Sequence, residues 1–502
     1  MPDTIILDTA LTSGEIAAIA GGAHLVLGEP ARRRIEKARS IVNALVDQGI
    51  RGYGINTGVG ALCDVIIGRE DQSTLSRNLL FSHACGVGEP LGQVETRAVM
   101  AAQINNFAHG YSGVRLEIVD TLLALLNNNM LPLIPSRGSV GYLTHAAAIG
   151  LVLIGAGECR HGDKVMSGAE ALQALGMKLL VLQAKEGLSL VNGTPCATGL
   201  ASLAVTRLTQ LADWADAAAA MTYENLGAQN DPFAEMPLAL RKSEGLQQVG
   251  HNLRSLLAGS ALLAESAGKR TQDPLSLRAV PHVHGAVRDA LLQVGTVVDR
   301  ELASVTDNPI VSGSPEVPEV HSQAHAVGAA LGLAMDSLAT AAAELAAISE
   351  RRIDRLVNPL VSGLPAFLAS GSGVESGFMI IQYTAAAMVA ENHRLAMPAS
   401  LDGGITSALQ EDILTHATPA AAKALAILDN LETVLAIELT TAAQAYDLQP
   451  SSAGKADMTG ALYRRVRSET AFFRDDRPLN VEIRKVQQML KATSAWSESE
   501  GA

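Results

Sequence analysis

The sequence predicts a mainly α-helical protein with a long central helix bundle and a smaller N-terminal α+β part. Of the 502 residues 48% are hydrophobic but only 3% are aromatic. A core built from Ala, Leu, Val and Ile suits closely packed long helices, and long segments also repeat apolar residues at helical spacing. We expect an N-terminal part over residues 1–195, the bundle over 196–450 and a helical tail over 451–502.

The N-terminal part begins with a strand-like segment, Thr4–Leu7, followed by helices at about residues 13–20 and 29–48. Thr12 and Glu15 form a helix-start pattern before the first of these helices. Residues 94–130 are predicted to be helical, with a glycine-rich break inside them. The short polar and apolar segments around these helices make this the α+β part of the chain.

The bundle is predicted from long apolar segments. Helices are expected at about residues 196–221, 328–356, 376–395 and 418–446. Long helices with apolar faces favour a bundle, and such faces in a water-soluble chain need partners, so we expect an oligomer.

Charge and cysteine content exclude several classes of protein. The net charge is −13 and no Lys/Arg block occurs, so nucleic acid is not an expected partner, since phosphate contacts need clustered cations. The four cysteines have no metal-like spacing, which is typical of reduced thiols in a cytosolic protein. These cysteines are Cys63, Cys85, Cys159 and Cys196.

Metal sites and membrane segments are also not expected. His321 and His325 are four residues apart and could share a helix face, but neither they nor the pair His282 and His284 have an evident third ligand. The apolar segment Ala146–Gly157 is too short to span a bilayer. The N-terminus lacks a basic region and a cleavage-site pattern. A soluble, cytoplasmic protein without a metal is therefore predicted.

A loop rich in glycine lies in the middle of the N-terminal part. Ile134–His145 contains a Gly-Ser-Val-Gly tetrad and leads directly into an apolar helix. Gly138 and Gly141 allow turns in which a Cβ would clash. Taken alone, the tetrad indicates an ordinary loop before a core helix.

Four further segments carry chemically useful side chains. Tyr53 lies in a second glycine-rich loop whose spacing differs from the dinucleotide fingerprint. Asn192 precedes a predicted helix, where capping is its simplest role. Arg278 is of the type that holds a carboxylate with two hydrogen bonds. Glu411 precedes another helix, where an acidic residue commonly interacts with the helix dipole.

Together these motifs resemble, in order, those of the MIO-dependent histidine and aromatic amino-acid ammonia-lyase family, and histidine ammonia-lyase most closely. The resemblance covers about residues 5–480. It implies the fumarase/aspartase-like helix bundle, and a cytoplasmic homotetramer whose active sites are built from several subunits.

The resemblance also implies roles for individual residues. The catalytic residues would be Tyr53 as the base, Asn192 and Gln272 on the amine side, and Arg278 on the carboxylate. The substrate side chain would be bound by His83, Leu275, Ala326, Met379 and Glu411. Leu275 and Ala326 replace a Tyr and a Phe that are usual in the family. Because a free phenol titrates near ~10, we expect the pocket to lower the pKa of Tyr53.

The sequence differs most from the family at the position where the cofactor forms. Its members form MIO (4-methylideneimidazol-5-one) from Ala-Ser-Gly after the tetrad, whereas here Gly141 is followed directly by Tyr142, in place of an Asp. Either the chain is three residues short and inactive, or the tripeptide exists as one fused residue that the sequence letters do not show. We prefer the second explanation, with the cofactor between Gly141 and Tyr142 and contacted by Asn192.

The predicted reaction is elimination of ammonia from a small aromatic amino acid. Glu411 would pair with an imidazole, which favours L-histidine as substrate and trans-urocanate as product. An electrophile that accepts the amine makes it a better leaving group. A 2,3-aminomutase using the same cofactor and a catalytically inactive family member are the alternatives.

Overall fold

The computed structural model describes residues 3–371, 373–401 and 403–496. The chain divides into two compact units. The first consists of Met1–Thr206, Val294–Asp336 and Pro398–Ala422, and the second of Arg207–Gln293, Ser337–Met397 and Lys423–Ala502. The N-terminal part predicted from the sequence falls within the first unit, and the division of the rest into bundle and tail stays a prediction.

All strands of the described residues belong to the first unit and form small sheets. Thr4–Leu7 pairs in parallel with His24–Leu27, which confirms the strand predicted at the N-terminus. The antiparallel pairs are Val87–Pro90 with Pro135–Arg137, Leu131–Pro132 with Glu158–His161, Glu158–His161 with Lys164–Ser167, and Ile310–Gly313 with Pro318–His321.

Eight α-helices of the described residues lie entirely within the first unit. They are Ser13–Ala20, Glu29–Asp47, Gln72–His83, Gln93–Ala108, Leu116–Asn127, Thr144–Leu153, Gly168–Ala174 and Glu186–Val191. Ser13–Ala20 begins where the sequence predicts, because Thr12 and Glu15 form a capping box: the Thr12 side chain accepts from the Glu15 N–H and the Glu15 carboxylate accepts from the Thr12 N–H.

Four long helices each contain a boundary between the units: Pro195–Leu226, Val280–Leu302, Ala329–Val357 and Ala417–Asp447. The remaining helices of the second unit are Glu235–Ala239, Glu244–Leu256, Ala261–Ser266, Leu275–Arg278, Pro359–Ser362, Met379–Leu395, Asp457–Glu469 and Asn480–Ala492. The prediction of a mainly α fold with long helices is confirmed. Val280–Leu302 was not predicted.

A buried polar network lies among the helices of the second unit. Arg352 donates to both carboxylate oxygens of Glu438 at 2.6 and 2.8 Å, and neither side chain is exposed to solvent. His284 is hydrogen-bonded to Asp216 at 2.7 Å. Such pairs compensate buried charges that would otherwise be costly.

The histidine pairs of the sequence do not form clusters. His284 is buried and His282 is exposed on the same helix. The idea that His321 and His325 share a helix face is wrong, because His321 ends a strand and His325 begins a 3-10 turn. Within the described residues no group of three or more His, Cys, Asp or Glu side chains is arranged to hold a metal ion.

Two helical segments of the described chain are long and apolar enough to cross a membrane by length and composition alone. They are Glu186–Leu226, whose most apolar stretch is entirely buried, and His325–Val357, whose stretch is half buried. A core helix of a globular protein passes the same test, so these segments are weak evidence for a membrane span.

Candidate functional site

A cavity of about 850 Å³ lies in the first unit and contains most of the predicted site residues. Six segments distant in sequence supply its walls. Its lining includes Tyr53, His83, Tyr142, Asn192, Ala326 and Glu411. Concave sites with a few convergent polar groups are typical of small-molecule binding.

The Tyr53 loop is held tightly against the cavity. The phenol oxygen of Tyr53 accepts a hydrogen bond from the Gly60 N–H at 2.8 Å. Gly54 has φ +61°, and a Cβ there would lie 2.3 Å from Leu188 Cδ2, so the turn requires glycine. Burial raises the pKa of Tyr53, and the charge of Glu411 adds to the increase against the lowering effect of the Gly60 N–H. The expectation of a lowered Tyr53 pKa is therefore wrong for this pocket.

Asn192 follows the helix Glu186–Val191 and does not cap the next helix. Its amide nitrogen donates to the Asn308 carbonyl at 2.6 Å, and its oxygen accepts from the Gly193 N–H at 3.0 Å. Lys185 and Asp307, each adjacent to one of these segments, form a fully buried ion pair at 3.1 Å. The ion pair ties the two segments together and fixes Asn192 at the cavity wall.

Glu411 reaches the cavity from a tight turn. Its backbone pairs with Thr406 in both directions, through hydrogen bonds of 2.8 and 3.3 Å. The phenol of Tyr142 donates to the Glu411 carboxylate at 2.9 Å. Burial raises the pKa of Tyr142 far above its ordinary value, and the hydrogen bond to Glu411 raises it further. Tyr142 is thus a neutral donor.

His83 is the last residue of the helix Gln72–His83 and is half-buried at the cavity wall. Burial lowers its pKa, more than a hydrogen bond to the backbone of Leu79 raises it. Its Nδ1 lies 3.0 Å from the Ser82 hydroxyl. At neutral pH His83 is therefore an uncharged hydrogen-bonding group.

The glycine-rich loop is closed by its own hydrogen bonds. Ser139 Oγ accepts from the Gly141 N–H at 3.1 Å and donates to the Tyr142 carbonyl at 2.9 Å, while the Leu143 N–H donates to Val191. Gly141 has φ +137°, which glycine tolerates. Gly141 joins Tyr142 directly, with no tripeptide that could cyclise. The residues present in this loop therefore do not fit formation of MIO.

The other predicted site residues belong to the second unit. Gln272, Leu275 and Arg278 line a separate cavity of about 500 Å³. The Arg278 side chain has no hydrogen-bond or ion-pair partner among the described residues, and its Nε is buried. Met379 begins a helix and lines neither cavity. An unpaired guanidinium in a cavity is suited to binding an anion.

Three contributors to the first cavity were missed by the sequence interpretation. Asn308 supplies the carbonyl that orients Asn192, and Arg51 and Asp64 form an ion pair at 2.7 Å on the wall. Asn308 lies in the segment Thr306-Asp-Asn-Pro309, which is similar to a motif of the family that the sequence resembles. Arg51 lies two residues before Tyr53, and nothing in the sequence indicates its pairing with Asp64.

Comparison with known proteins identifies the family of the chain. The aromatic amino acid lyase family matches residues 11–468. The chain is 44% identical to histidine ammonia-lyase of Symbiobacterium thermophilum, over 97% of this chain and 96% of the relative.

Two solved structures share the fold over nearly their whole length. Histidine ammonia-lyase of Trypanosoma cruzi has a TM-score of 0.91 at 36% identity, covering 98% of this chain and 94% of its own. Tyrosine aminomutase of Streptomyces globisporus has a TM-score of 0.92 at 32% identity, covering 98% and 97%. By sequence and by fold, the chain belongs to the aromatic amino acid lyase family.

Proposed function

We propose that this protein is an ammonia-lyase that converts L-histidine to trans-urocanate and ammonia. The supporting observation is the first-unit cavity, which brings Tyr53, His83, Asn192 and Glu411 together from four distant segments. Relatives named histidine ammonia-lyase at 42–44% identity support the same substrate.

The cavity walls favour an imidazole over a phenyl ring. The Glu411 carboxylate accepts hydrogen bonds, and only one of its oxygens is engaged by Tyr142. The other oxygen is available to an imidazole N–H, and a neutral His83 can also share a hydrogen bond with a polar ring. Placing a phenyl ring against a carboxylate would remove solvent from the charge without replacing its hydrogen bonds.

Tyr53 is the proposed base for the β-proton. In ionised form its phenolate would accept the proton, and the Gly60 N–H already fixes the oxygen. Asn192 is the proposed partner on the amine side of the substrate, where its amide is fixed by Asn308.

The substrate carboxylate needs a cation. We propose that Arg278 of a second copy supplies it, with Gln272 beside it, in a cytoplasmic homotetramer whose sites are shared between subunits. Arg278 has no partner among the described residues of its own chain, and a guanidinium binds a carboxylate with two hydrogen bonds.

Elimination also needs an electrophile that makes the amine a better leaving group, which is the chemistry that MIO supplies in the family. Since the loop contains no precursor, the lyase proposal requires a fused tripeptide between Gly141 and Tyr142. Intact-mass measurement of purified protein tests this requirement. We expect extra mass equal to the Ala-Ser-Gly residues less two waters, one lost on ring closure and one on dehydration of the serine, whereas a mass equal to that of the sequence would refute the lyase activity.

The alternatives are an aminomutase and a binding protein without catalysis. The likeness to tyrosine aminomutase favours the first, and the missing tripeptide favours the second. A panel of histidine, tyrosine and phenylalanine, with ammonia and products measured, separates them. Ammonia and urocanate from histidine would support the lyase, a β-amino acid without ammonia would indicate the aminomutase, and binding without product would indicate the inactive member.

A further inference from the structure

We infer that Tyr223 and Arg355 are positioning residues that hold the one-turn helix Leu275–Arg278 and thereby aim the Arg278 guanidinium at the substrate carboxylate. The inference rests on the proposed function, in which Arg278 binds that carboxylate. It adds two residues that act through Arg278 without touching the substrate. Both lie in the second unit, as does the helix that they hold.

The helix that presents Arg278 is too short to be stable on its own. It has four residues, Leu275–Arg278, and the Leu277 and Arg278 N–H groups both donate to the Pro274 carbonyl at 3.0 Å. A single helical turn fixes several dihedral angles in return for few hydrogen bonds, so isolated short helices are marginal in water. The direction of the Arg278 side chain therefore depends on contacts between this turn and the rest of the unit.

The first contact comes from the long helix Pro195–Leu226. Tyr223 is 1% exposed, and its hydroxyl donates to the Leu277 carbonyl at 2.5 Å. This carbonyl belongs to the peptide group that supplies the nitrogen of Arg278, so the hydrogen bond fixes the backbone directly before Arg278. Burial raises the pKa of Tyr223 far above its ordinary value, so the phenol stays a neutral donor. The Tyr223 ring is itself held, because it stacks on Phe233 with ring centroids 5.6 Å apart.

The second contact comes from the helix Ala329–Val357. Arg355 Nε donates to Ser276 Oγ at 2.8 Å. Ser276 directly precedes Leu277, so two consecutive residues of the turn are held by two different helices. A turn held in this way has little freedom to rotate, and the Cα–Cβ direction of the next residue is fixed with it.

The Arg278 side chain itself is left for a ligand. It has no hydrogen-bond or ion-pair partner among the described residues, and its buried Nε belongs to the second cavity. A guanidinium whose direction is set before binding loses less conformational freedom when a carboxylate arrives. The fixed turn should therefore strengthen binding of the carboxylate without contributing to binding of the ring.

The test compares binding of urocanate and of 4-vinylimidazole, which is urocanate without its carboxylate, to the full-length protein by calorimetry. The Kd of 4-vinylimidazole divided by that of urocanate measures what the carboxylate contributes. The proteins are wild type, Tyr223→Phe, Ser276→Ala, Arg278→Ala and the double variant Tyr223→Phe/Arg278→Ala. Ser276→Ala removes the acceptor of Arg355 at a half-buried position, so it decides the question if Tyr223→Phe fails to fold. Thermal unfolding checks that each variant is folded.

Tyr446→Phe is the matched control, because it removes another buried phenol of the same unit. Tyr446 is 4% exposed, lines neither cavity and donates to Glu224, the residue after Tyr223 in the same helix. The control variant therefore loosens that helix without removing a hydrogen bond from the turn that carries Arg278.

We expect Arg278→Ala to lower the Kd ratio about tenfold to a hundredfold, the value of hydrogen bonds to a charged group. Tyr223→Phe and Ser276→Ala should each lower it about threefold to tenfold, with the Kd of 4-vinylimidazole unchanged. The double variant should equal Arg278→Ala, because Tyr223 acts through Arg278. Tyr446→Phe should keep the wild-type ratio.

The outcomes separate this inference from the proposed function. If Arg278→Ala lowered the ratio but Tyr223→Phe and Ser276→Ala did not, the inference would be wrong and the role of Arg278 would stand. A loss in Tyr446→Phe equal to that in Tyr223→Phe would also overturn the inference, since general loosening of the helix would explain both. A ratio that Arg278→Ala leaves unchanged would overturn the assignment of Arg278 to the carboxylate, and the inference with it.

Discussion

Tyr53 shows how a single phenol depends on its surroundings. Burial and the nearby charge of Glu411 both disfavour its phenolate, and the Gly60 N–H only partly offsets them. A base with a raised pKa is mostly protonated at neutral pH, so the reaction should accelerate as the pH rises. The pH dependence of turnover therefore reports directly on this residue.

We expect kcat/KM for histidine to rise with pH and to level off only above about pH 10, the ordinary pKa of a phenol. Glu411→Gln removes the charge that raises the Tyr53 pKa, so kcat/KM of this variant should rise at lower pH. The substrate amine titrates identically in both proteins, which makes the difference between the two profiles informative. Tyr53→Phe should fold normally and lose nearly all turnover. If kcat/KM rose at the same pH in wild type and Glu411→Gln, or if Tyr53→Phe kept wild-type turnover, Tyr53 would not be the base.

The sequence identified single residues better than their contacts. Tyr53, His83, Asn192, Ala326 and Glu411 all line one cavity, and their roles in it stay a prediction. The hydrogen bond between Tyr142 and Glu411 could not be predicted from the sequence, because it joins residues 269 positions apart and forms only in the folded loop. The direction of the Tyr53 pKa shift was missed for the same reason, since burial is a property of the fold.

Among the helices, the spacing of apolar residues predicted the long ones well, whereas the residues at helix starts were less informative. Ala329–Val357 and Ala417–Asp447 lie within a few residues of their predicted bounds. Val280–Leu302 was missed because Pro281 and two histidines near its start obscure the apolar pattern. Apart from Thr4–Leu7, the strands were not predicted, since segments of two to four residues are too short to show apolar alternation.

The network of the second unit offers a test of how its helices are held. Glu438→Gln keeps the shape of the side chain but leaves Arg352 buried with an uncompensated charge. We expect the free energy of unfolding to fall by roughly 3–5 kcal/mol, because breaking one side of a buried pair is costly. Chemical denaturation with a matched exposed control, Glu29→Gln beside Arg33, measures this. A loss no larger than that of the control would show that Arg352 is compensated by other groups.

For the whole molecule, the proposed site combines the first-unit cavity with Arg278 of a second copy, since Arg278 has no partner in its own chain among the described residues. If the carboxylate site comes from a second copy, two inactive variants should complement each other. Tyr53→Phe lacks the base, and Arg278→Ala lacks the cation, yet a mixed oligomer contains sites in which both residues are intact.

We expect each variant alone to be nearly inactive and a mixture, unfolded and refolded together or co-expressed, to regain a fraction of wild-type activity. In randomly mixed oligomers about a quarter of such shared sites contain neither substitution, which sets the scale of the recovery. Mixing Tyr53→Phe with Asn192→Ala is the matched control, because Tyr53 and Asn192 line the same cavity of one chain and no mixed site is freed of both changes. Recovery in the first mixture alone requires that Arg278 and Tyr53 of one site come from different copies.

If activity did not recover although mass measurement showed mixed oligomers, each copy would build its carboxylate site from its own residues. Arg51, which lines the same cavity as Tyr53, would then be the next arginine to substitute.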